Sequence, residues 1–254
     1  MYMDEFSKVA SAARTKPVFL RRNPTGYFIS SMLAGVYVGF GVLLAYTIGS
    51  LLDGEPYARI IMGVSFGIAL SLVIMAGSEL FTGNNMVLAV GVFSMTVSFG
   101  EALLLWAVCY IGNWLGSILL AAIFYGSGLA AGAVGEFINV SAAAKTDITF
   151  FPLFLRGIFC NILVCLAVWC SFRCKSESGK LIIIFWCLFA FVTSGFEHSI
   201  ANMTLLSISI MNNGIGIGGY FYNILIVTLG NMAGGIFFVA LPYYLISKKG
   251  NAKF

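Results

Sequence analysis

GSELFTGNNM (77–86) and GFEHSIANM (195–203) decide how this chain is read. Each sets a glycine, a carboxylate and small polar residues in the middle of a long apolar run. Gly77 and Glu79 in the first stretch lie 118 positions before Gly195 and Glu197 in the second. The same shift of 118 relates IGNWLGS (111–117) to LGNMAGG (229–235), which share G-N-x-x-G. Two matches at one offset describe an internal repeat. A looser match sets Gly35 and Gly39 against Gly157 and Asn161.

The surroundings of the two stretches say where they sit. The chain has 254 residues, 60% of them hydrophobic and 9% charged, whereas a soluble domain carries about a quarter charged residues. With a mean hydropathy of +0.97, it is an integral membrane protein. Six regions reach the ~20 apolar residues that a crossing needs: 28–52, 60–98, 102–125, 151–172, 181–210 and 219–246. The second is too long for one plain span, and the fifth has a polar interruption. The first 25 residues are polar and basic, and the apolar run after them is too long for the h-region of a cleavable signal. Within that arm Phe6, Val9, Ala10 and Ala13 share one helical face, which predicts a short surface helix ending at Pro17.

Lys and Arg set the orientation. Lys8, Arg14, Lys16, Arg21 and Arg22 precede the first region, Arg173, Lys175 and Lys180 link the fourth to the fifth, and Lys248, Lys249 and Lys253 close the chain. These eleven of the fourteen basic residues fall on one side if the number of spans is even, and both termini are expected in the cytoplasm. Arg59, Lys145 and Arg156 fall on or near the outer links. Topology thus accounts for the net charge of +4, and no nucleic-acid partner is expected. The six cysteines include no C-x-x-C pair, and one histidine cannot complete a zinc site with them. They read as small apolar packers, so no metal and no cofactor are expected.

Two halves of three helices each require the second half to be inserted upside down, as in many transport proteins. The domain reading is a single membrane channel domain over 1–254. It comprises an amphipathic cytoplasmic segment (1–25), a first repeat (26–125), a second repeat (126–247) and a cytoplasmic tail (248–254). Paired interruptions in corresponding positions point to a permeation site near the midplane. Glu79 and Glu197 are either pathway charges or, the preferred reading, acceptors for backbone N–H groups freed where the helices break. Asn113, in the first G-N-x-x-G, is expected to hydrogen-bond between helices. Neither a second histidine nor a metal-ligand cluster accompanies His198, so an enzyme is not expected. Paired Asn-Pro-Ala signatures of a neutral-solute pore are absent.

GSELFTGN, EHSIANM, the paired G-N-x-x-G and the AAAKT at 142–146 together resemble the formate/nitrite transporter family, above all its nitrite and hydrosulfide branches, over essentially the whole chain. The resemblance implies a homopentamer of aquaporin-like protomers in the lipid of a bacterial inner membrane. Each protomer would have six helices, the second and fifth broken, and would pass small monovalent anions. It implies that Thr82 in ELFT faces His198 in EHSIAN between apolar constrictions. Leu80 and Phe191 belong to those constrictions, and Phe66 to another narrowing. Asn161 and Asn231 match asparagines near the central site, and Lys145 matches a lysine in the outer vestibule. One departure bears on the substrate: Asn84 and Asn85 follow FTG where nitrite relatives tend to have His-Thr.

A bare anion in a narrow apolar pore costs many kcal/mol to desolvate. Lys145 would concentrate anions at the mouth, and Thr82, Asn161, Asn231 and the imidazole N–H would replace water at the centre. If His198 gives its proton to a weak-acid anion, a neutral molecule results that can pass a greasy constriction. The alternatives are that His198 only hydrogen-bonds, and that the chain is a proton-coupled carrier of the same anions rather than a channel.

Overall fold

The computed structural model describes residues 2–247, so the tail 248–254 with Lys248, Lys249 and Lys253 lies outside the described residues. Those residues form helices and connecting turns, with no strand among them. Helix α1 (Met3–Arg22) is followed by α2 (Pro24–Leu51), whose start is set by Pro24 and by the Asn23 side chain, which accepts the Gly26 N–H at 2.8 Å. The second apolar region divides. Helices α3 (Ala58–Ser65) and α4 (Ile68–Leu72) and a π turn (Val73–Gly77) make its first part, and α5 (Phe81–Phe93) its second. Helix α6 (Phe99–Gly126) opens on a reciprocal Ser98–Glu101 capping box. Then come α7 (Gly132–Thr146), α8 (Phe150–Arg173), α9 (Glu177–Thr193) and α10 (Ser199–Met211). Helix α11 (Ile217–Gly235) passes through a second π turn (Ile236–Ala240) into α12 (Leu241–Ser247).

Helices α5 and α10 have 13 residues each. At 1.5 Å per residue they span about 20 Å of a hydrocarbon core about 30 Å thick. The breaks before them therefore lie inside the membrane.

Two tight helix pairs hold these breaks in place, α2 against α6 and α8 against α11. In both, small residues let backbones touch. A methyl group on Gly35 would run into the Asn113 carbonyl, and one on Gly116 into that of Met32. A methyl on Gly157 would stand 3.1 Å from the Gly230 Cα.

Two elements depart from the sequence reading. Helix α1 does not stop at Pro17 but continues to Arg22. The proline removes one backbone N–H, while the buried face Phe6, Val9, Ala10, Ala13 and Pro17 keeps the helix packed on the bundle. Helix α7, in the link before α8, was not anticipated. Its sequence GAVGEFINVSAAAKT is mixed in polarity and buries only Gly135, Ile138 and Ala142. It carries Lys145 in its last turn.

Candidate functional site

Both breaks are built the same way. Gly77 and Gly195 turn the chain with φ of +80° and +75°, a region where a Cβ is penalised. Ser78 N–H then reaches back to the Val73 carbonyl at 3.1 Å, and Phe196 N–H to that of Phe191 at 3.0 Å. Glu79 N–H donates to the Ser30 carbonyl of α2 at 3.3 Å, and Glu197 N–H to the Arg156 carbonyl of α8 at 3.2 Å.

A break at membrane depth leaves backbone polar groups that apolar surroundings cannot satisfy. One asparagine satisfies them in each half. Asn113 on α6 accepts the Phe81 N–H at 2.8 Å and donates to the carbonyls of Ser31 (2.7 Å) and Glu79 (2.8 Å). Asn231 on α11 accepts the Ser199 N–H at 2.9 Å and donates to Gly157 (2.8 Å) and Glu197 (2.9 Å). These bonds pair Ser31 with Gly157, so Gly35 corresponds to Asn161. The sequence match of Gly35 with Gly157 was one helical turn out of register.

The glutamates therefore do not accept the freed N–H groups, contrary to the preferred sequence reading. They are halves of charge pairs. Lys16 Nζ on α1 lies 2.8 and 2.6 Å from the two carboxylate oxygens of Glu79, and Asn84 Nδ2 donates to the same carboxylate at 2.8 Å. Across the repeat, Lys145 Nζ on α7 lies 2.8 Å from both oxygens of Glu197, and Asn202 Nδ2 donates at 2.6 Å. Asn202 also donates to Asn223 Oδ1 at 2.8 Å, and Asn223 Nδ2 to the Lys145 carbonyl at 3.0 Å. Burial by itself would lower the pKa of Lys145. The Glu197 carboxylate more than offsets this and holds it above its ordinary value.

His198 and Thr82 meet between the breaks. His198 Nε2 is 3.0 Å from Thr82 Oγ1, and both residues are buried. His198 Nδ1 caps α10 by accepting the Ala201 N–H at 3.1 Å. A backbone N–H can only donate, so Nδ1 carries its lone pair and the ring proton resides on Nε2, pointing at Thr82. The Thr82 hydroxyl, accepting from Nε2, keeps its own proton to donate elsewhere. Leu80 holds the matching cap position of α5, 118 residues earlier.

Two vestibules approach this pair. One of about 1030 Å³ is lined by Lys145, Glu197, His198, Arg59, Phe66 and Phe191 among others. The opposite one, about 660 Å³, is lined by Lys16, Glu79, Leu80, Asn84 and Lys180 among others. Thr82 lines neither. Phe191 stacks on His198 with centroids 5.9 Å apart and receives Phe66 edge-on at 5.5 Å. Phe66 thus packs directly on Phe191, where the sequence reading had set it at another narrowing. Leu80 is buried and lines the Lys16 vestibule.

Asn161 and Asn231 line neither vestibule, although a contact with the anion was expected. Asn161 Nδ2 donates to the Thr82 carbonyl at 3.2 Å and the Asn231 carbonyl at 2.6 Å, and the Asn231 amide is spent on the break. Both amides thus bond backbone groups around Thr82 and His198, while Asn161 Oδ1 is buried with no partner among the described residues. Asn84 joins the Glu79 pair, whereas Asn85 is buried with no side-chain hydrogen bond to a described residue. Sequence reasoning counted Lys16 only as a topology charge and missed its pairing with Glu79. Its signal was a lysine in the segment ahead of the first span of its half, as Lys145 stands ahead of α8. One string, GVSFG at 63–67, has the spacing of a nucleophile elbow. Its Ser65 sits on a helix and donates to the Met62 carbonyl at 2.8 Å. No group of three or more metal-ligating side chains exists among the described residues.

Comparisons with known proteins agree over nearly the full length. The profile of the family described as Formate/nitrite transporter matches residues 4–245. The nitrite transporter NirC of Escherichia coli (strain K12) is 42% identical over 99% of this chain and 94% of its own length. The formate channel FocA of Haemophilus influenzae is 30% identical, over 88% and 87%. A solved structure described as an FNT family ion channel superposes with a TM-score of 0.92 at 40% identity, covering 96% of this chain and 99% of that one. A second, described as a pentameric formate channel with formate bound, gives a TM-score of 0.77 at 29% identity over 88% and 97%.

Proposed function

The chain belongs to the formate/nitrite transporter family, and from that membership we propose that it is a channel for small monovalent anions of weak acids: formate, nitrite or hydrosulfide. It is a membrane transport protein and not an enzyme. Likeness to the pentameric formate channel supports a homopentamer, and the placement of Lys and Arg supports cytoplasmic termini in a bacterial inner membrane. The Lys145 vestibule is then periplasmic and the Lys16 vestibule cytoplasmic.

The observation that carries this reading is the buried His198–Thr82 contact, set between two vestibules that end at apolar side chains. An anion leaving the Lys145 vestibule passes Phe66 and Phe191 and loses water, a large cost in apolar surroundings. The Thr82 hydroxyl, accepting from His198 Nε2–H, donates its own proton toward the anion in place of water. A second proton on the ring would have to go to Nδ1, at the expense of the Ala201 bond. His198 therefore works as a neutral hydrogen-bond donor, and an anion that crosses as its neutral acid takes its proton from vestibule water. Aromatic edges and Leu80 must swing aside for passage, on the timescale of side-chain motion and without alternating access.

Purified protein in liposomes tests this, with formate, nitrite, hydrosulfide, acetate and chloride compared at several pH values and with or without an imposed proton gradient. The channel reading predicts downhill flux that saturates poorly and favours the small weak-acid anions over chloride. Strict proton stoichiometry would make the protein a coupled carrier, and absence of flux for every anion would refute both readings.

A further inference from the structure

We propose that Arg59, and not Lys145, is the residue that captures anions in the Lys145 vestibule, and that its guanidinium selects for bent oxyanions such as formate and nitrite. The inference rests on the reading of the chain as an anion channel.

Six charged side chains line this vestibule: Asp53, Glu55, Arg59, Lys145, Arg156 and Glu197. Lys145 and Glu197 cancel. With Nζ at 2.8 Å from both carboxylate oxygens, the pair presents a dipole to an approaching ion and not a free positive charge. An anion that bound Lys145 directly would also have to displace a buried carboxylate, which would be left uncompensated. Arg59 has no such partner. Its side chain makes no ion pair and no hydrogen bond with any described residue, and it is exposed. Its guanidinium stands at the break itself, because a Cβ on Gly195 would lie 3.5 Å from Nη1. Gly195 is three residues before His198.

The other charges act less directly. Arg156 is also exposed and unpaired among the described residues of this vestibule, and what sets Arg59 apart from it is the Nη1 placed at the Gly195 break. Asp53 and Glu55 are exposed on the loop between α2 and α3, where solvent and salt screen them. The opposite vestibule offers no unpaired cation among its described lining residues. Lys16 is held by Glu79, and Lys180 Nζ lies 2.9 Å from Glu177 Oε1. Capture is therefore stronger from the Lys145 side.

Geometry adds specificity to charge. Guanidinium presents parallel N–H donors in a rigid fork that matches two oxygens on one central atom. Formate and nitrite each carry such a pair of oxygens; chloride and hydrosulfide do not.

The test measures initial influx into proteoliposomes for the wild type, Arg59→Gln and Arg59→Lys, at low and high ionic strength. Arg59→Gln is expected to slow formate and nitrite influx about three- to fivefold at low ionic strength, and by less than about twofold at high. Arg59→Lys keeps the charge but loses the fork, so hydrosulfide influx should recover fully and formate influx only in part. A second readout does not depend on conduction. Ser141→Cys places a thiol in the same vestibule, which no native cysteine lines. The ratio of its modification rates by anionic and cationic thiosulfonates reports the local potential, and adding Arg59→Gln should lower that ratio about threefold. If the wild type conducts no anion but the ratio still falls, the channel reading fails and capture by Arg59 stands. If the wild type conducts and neither the ratio nor the low-salt influx responds to Arg59→Gln, capture by Arg59 is wrong.

Discussion

The Ala201 N–H donates to His198 Nδ1 at 3.1 Å, and this one contact ties the start of α10 to the protonation pattern of the ring. The imidazole does two jobs with two nitrogens: Nδ1 caps a helix buried in the membrane, and Nε2 faces Thr82 at 3.0 Å. A cationic ring would have two donors and no acceptor, so it would lose the cap and leave the Ala201 N–H unsatisfied, which costs about 1–3 kcal/mol in a buried place. The sequence reading left open whether the ring hands a proton to the anion or only hydrogen-bonds it. The geometry favours a ring that stays neutral.

The first prediction follows from that cap. Asn is a good N-cap residue and cannot titrate here, so His198→Asn should assemble normally. Its shorter side chain loses the reach to Thr82, and flux of the favoured anion should fall about tenfold, the equivalent of one ordinary hydrogen bond. The shape of the flux–pH profile from mildly acidic to neutral pH should match that of the wild type. A profile that flattens in the variant would show that the histidine exchanges its proton.

Lys145 and Glu197 are expected to behave as a unit. Lys145→Met alone leaves a buried carboxylate unpaired and should destabilise the protein by about 3–5 kcal/mol. The double variant Lys145→Met/Glu197→Gln should recover much of that loss. Thermal unfolding in detergent of the two singles and the double closes the cycle. Additive losses would mean that the two charges do not act together.

Gly195→Ala isolates backbone strain. A new Cβ would meet Arg59 Nη1 at 3.5 Å, an ordinary contact, while φ is +75°. The cost should be about 1–2 kcal/mol from the left-handed conformation alone, and Gly77→Ala, whose Cβ meets nothing within 4 Å, should cost the same. Unfolding measurements that separate the two variants widely would contradict the equivalence of the two breaks.

Particular residues show what was legible in sequence. The breaks were, because glycine and glutamate recur at one offset, the glycines taking positive φ and the glutamates pairing with lysines. Glu79 with Asn84 and Glu197 with Asn202 also repeat a five-residue spacing, a signal of the carboxylate–amide pairs that the sequence reading did not use. The register of α2 against α8 was not legible. Ser31 and Gly157 contribute only backbone carbonyls there, so side-chain identity at those positions carries no signal. The Lys16–Glu79 pair escaped notice because α1 and α7 precede their spans at distances that do not share the 118-residue offset. Phe66 lies in the turn between α3 and α4 and Phe191 on α9, and their edge-on contact is a tertiary fact.

The most direct check of a neutral His198 uses its being the only histidine in the chain. Ring-labelled ¹⁵N-histidine in protein reconstituted into bilayers gives two signals without overlap, one from each nitrogen of His198. The account predicts an unprotonated Nδ1 and a protonated Nε2, both without anion and with formate or nitrite at saturating concentration. Two protonated ring nitrogens in the presence of the anion would contradict it and restore the histidine as a proton donor.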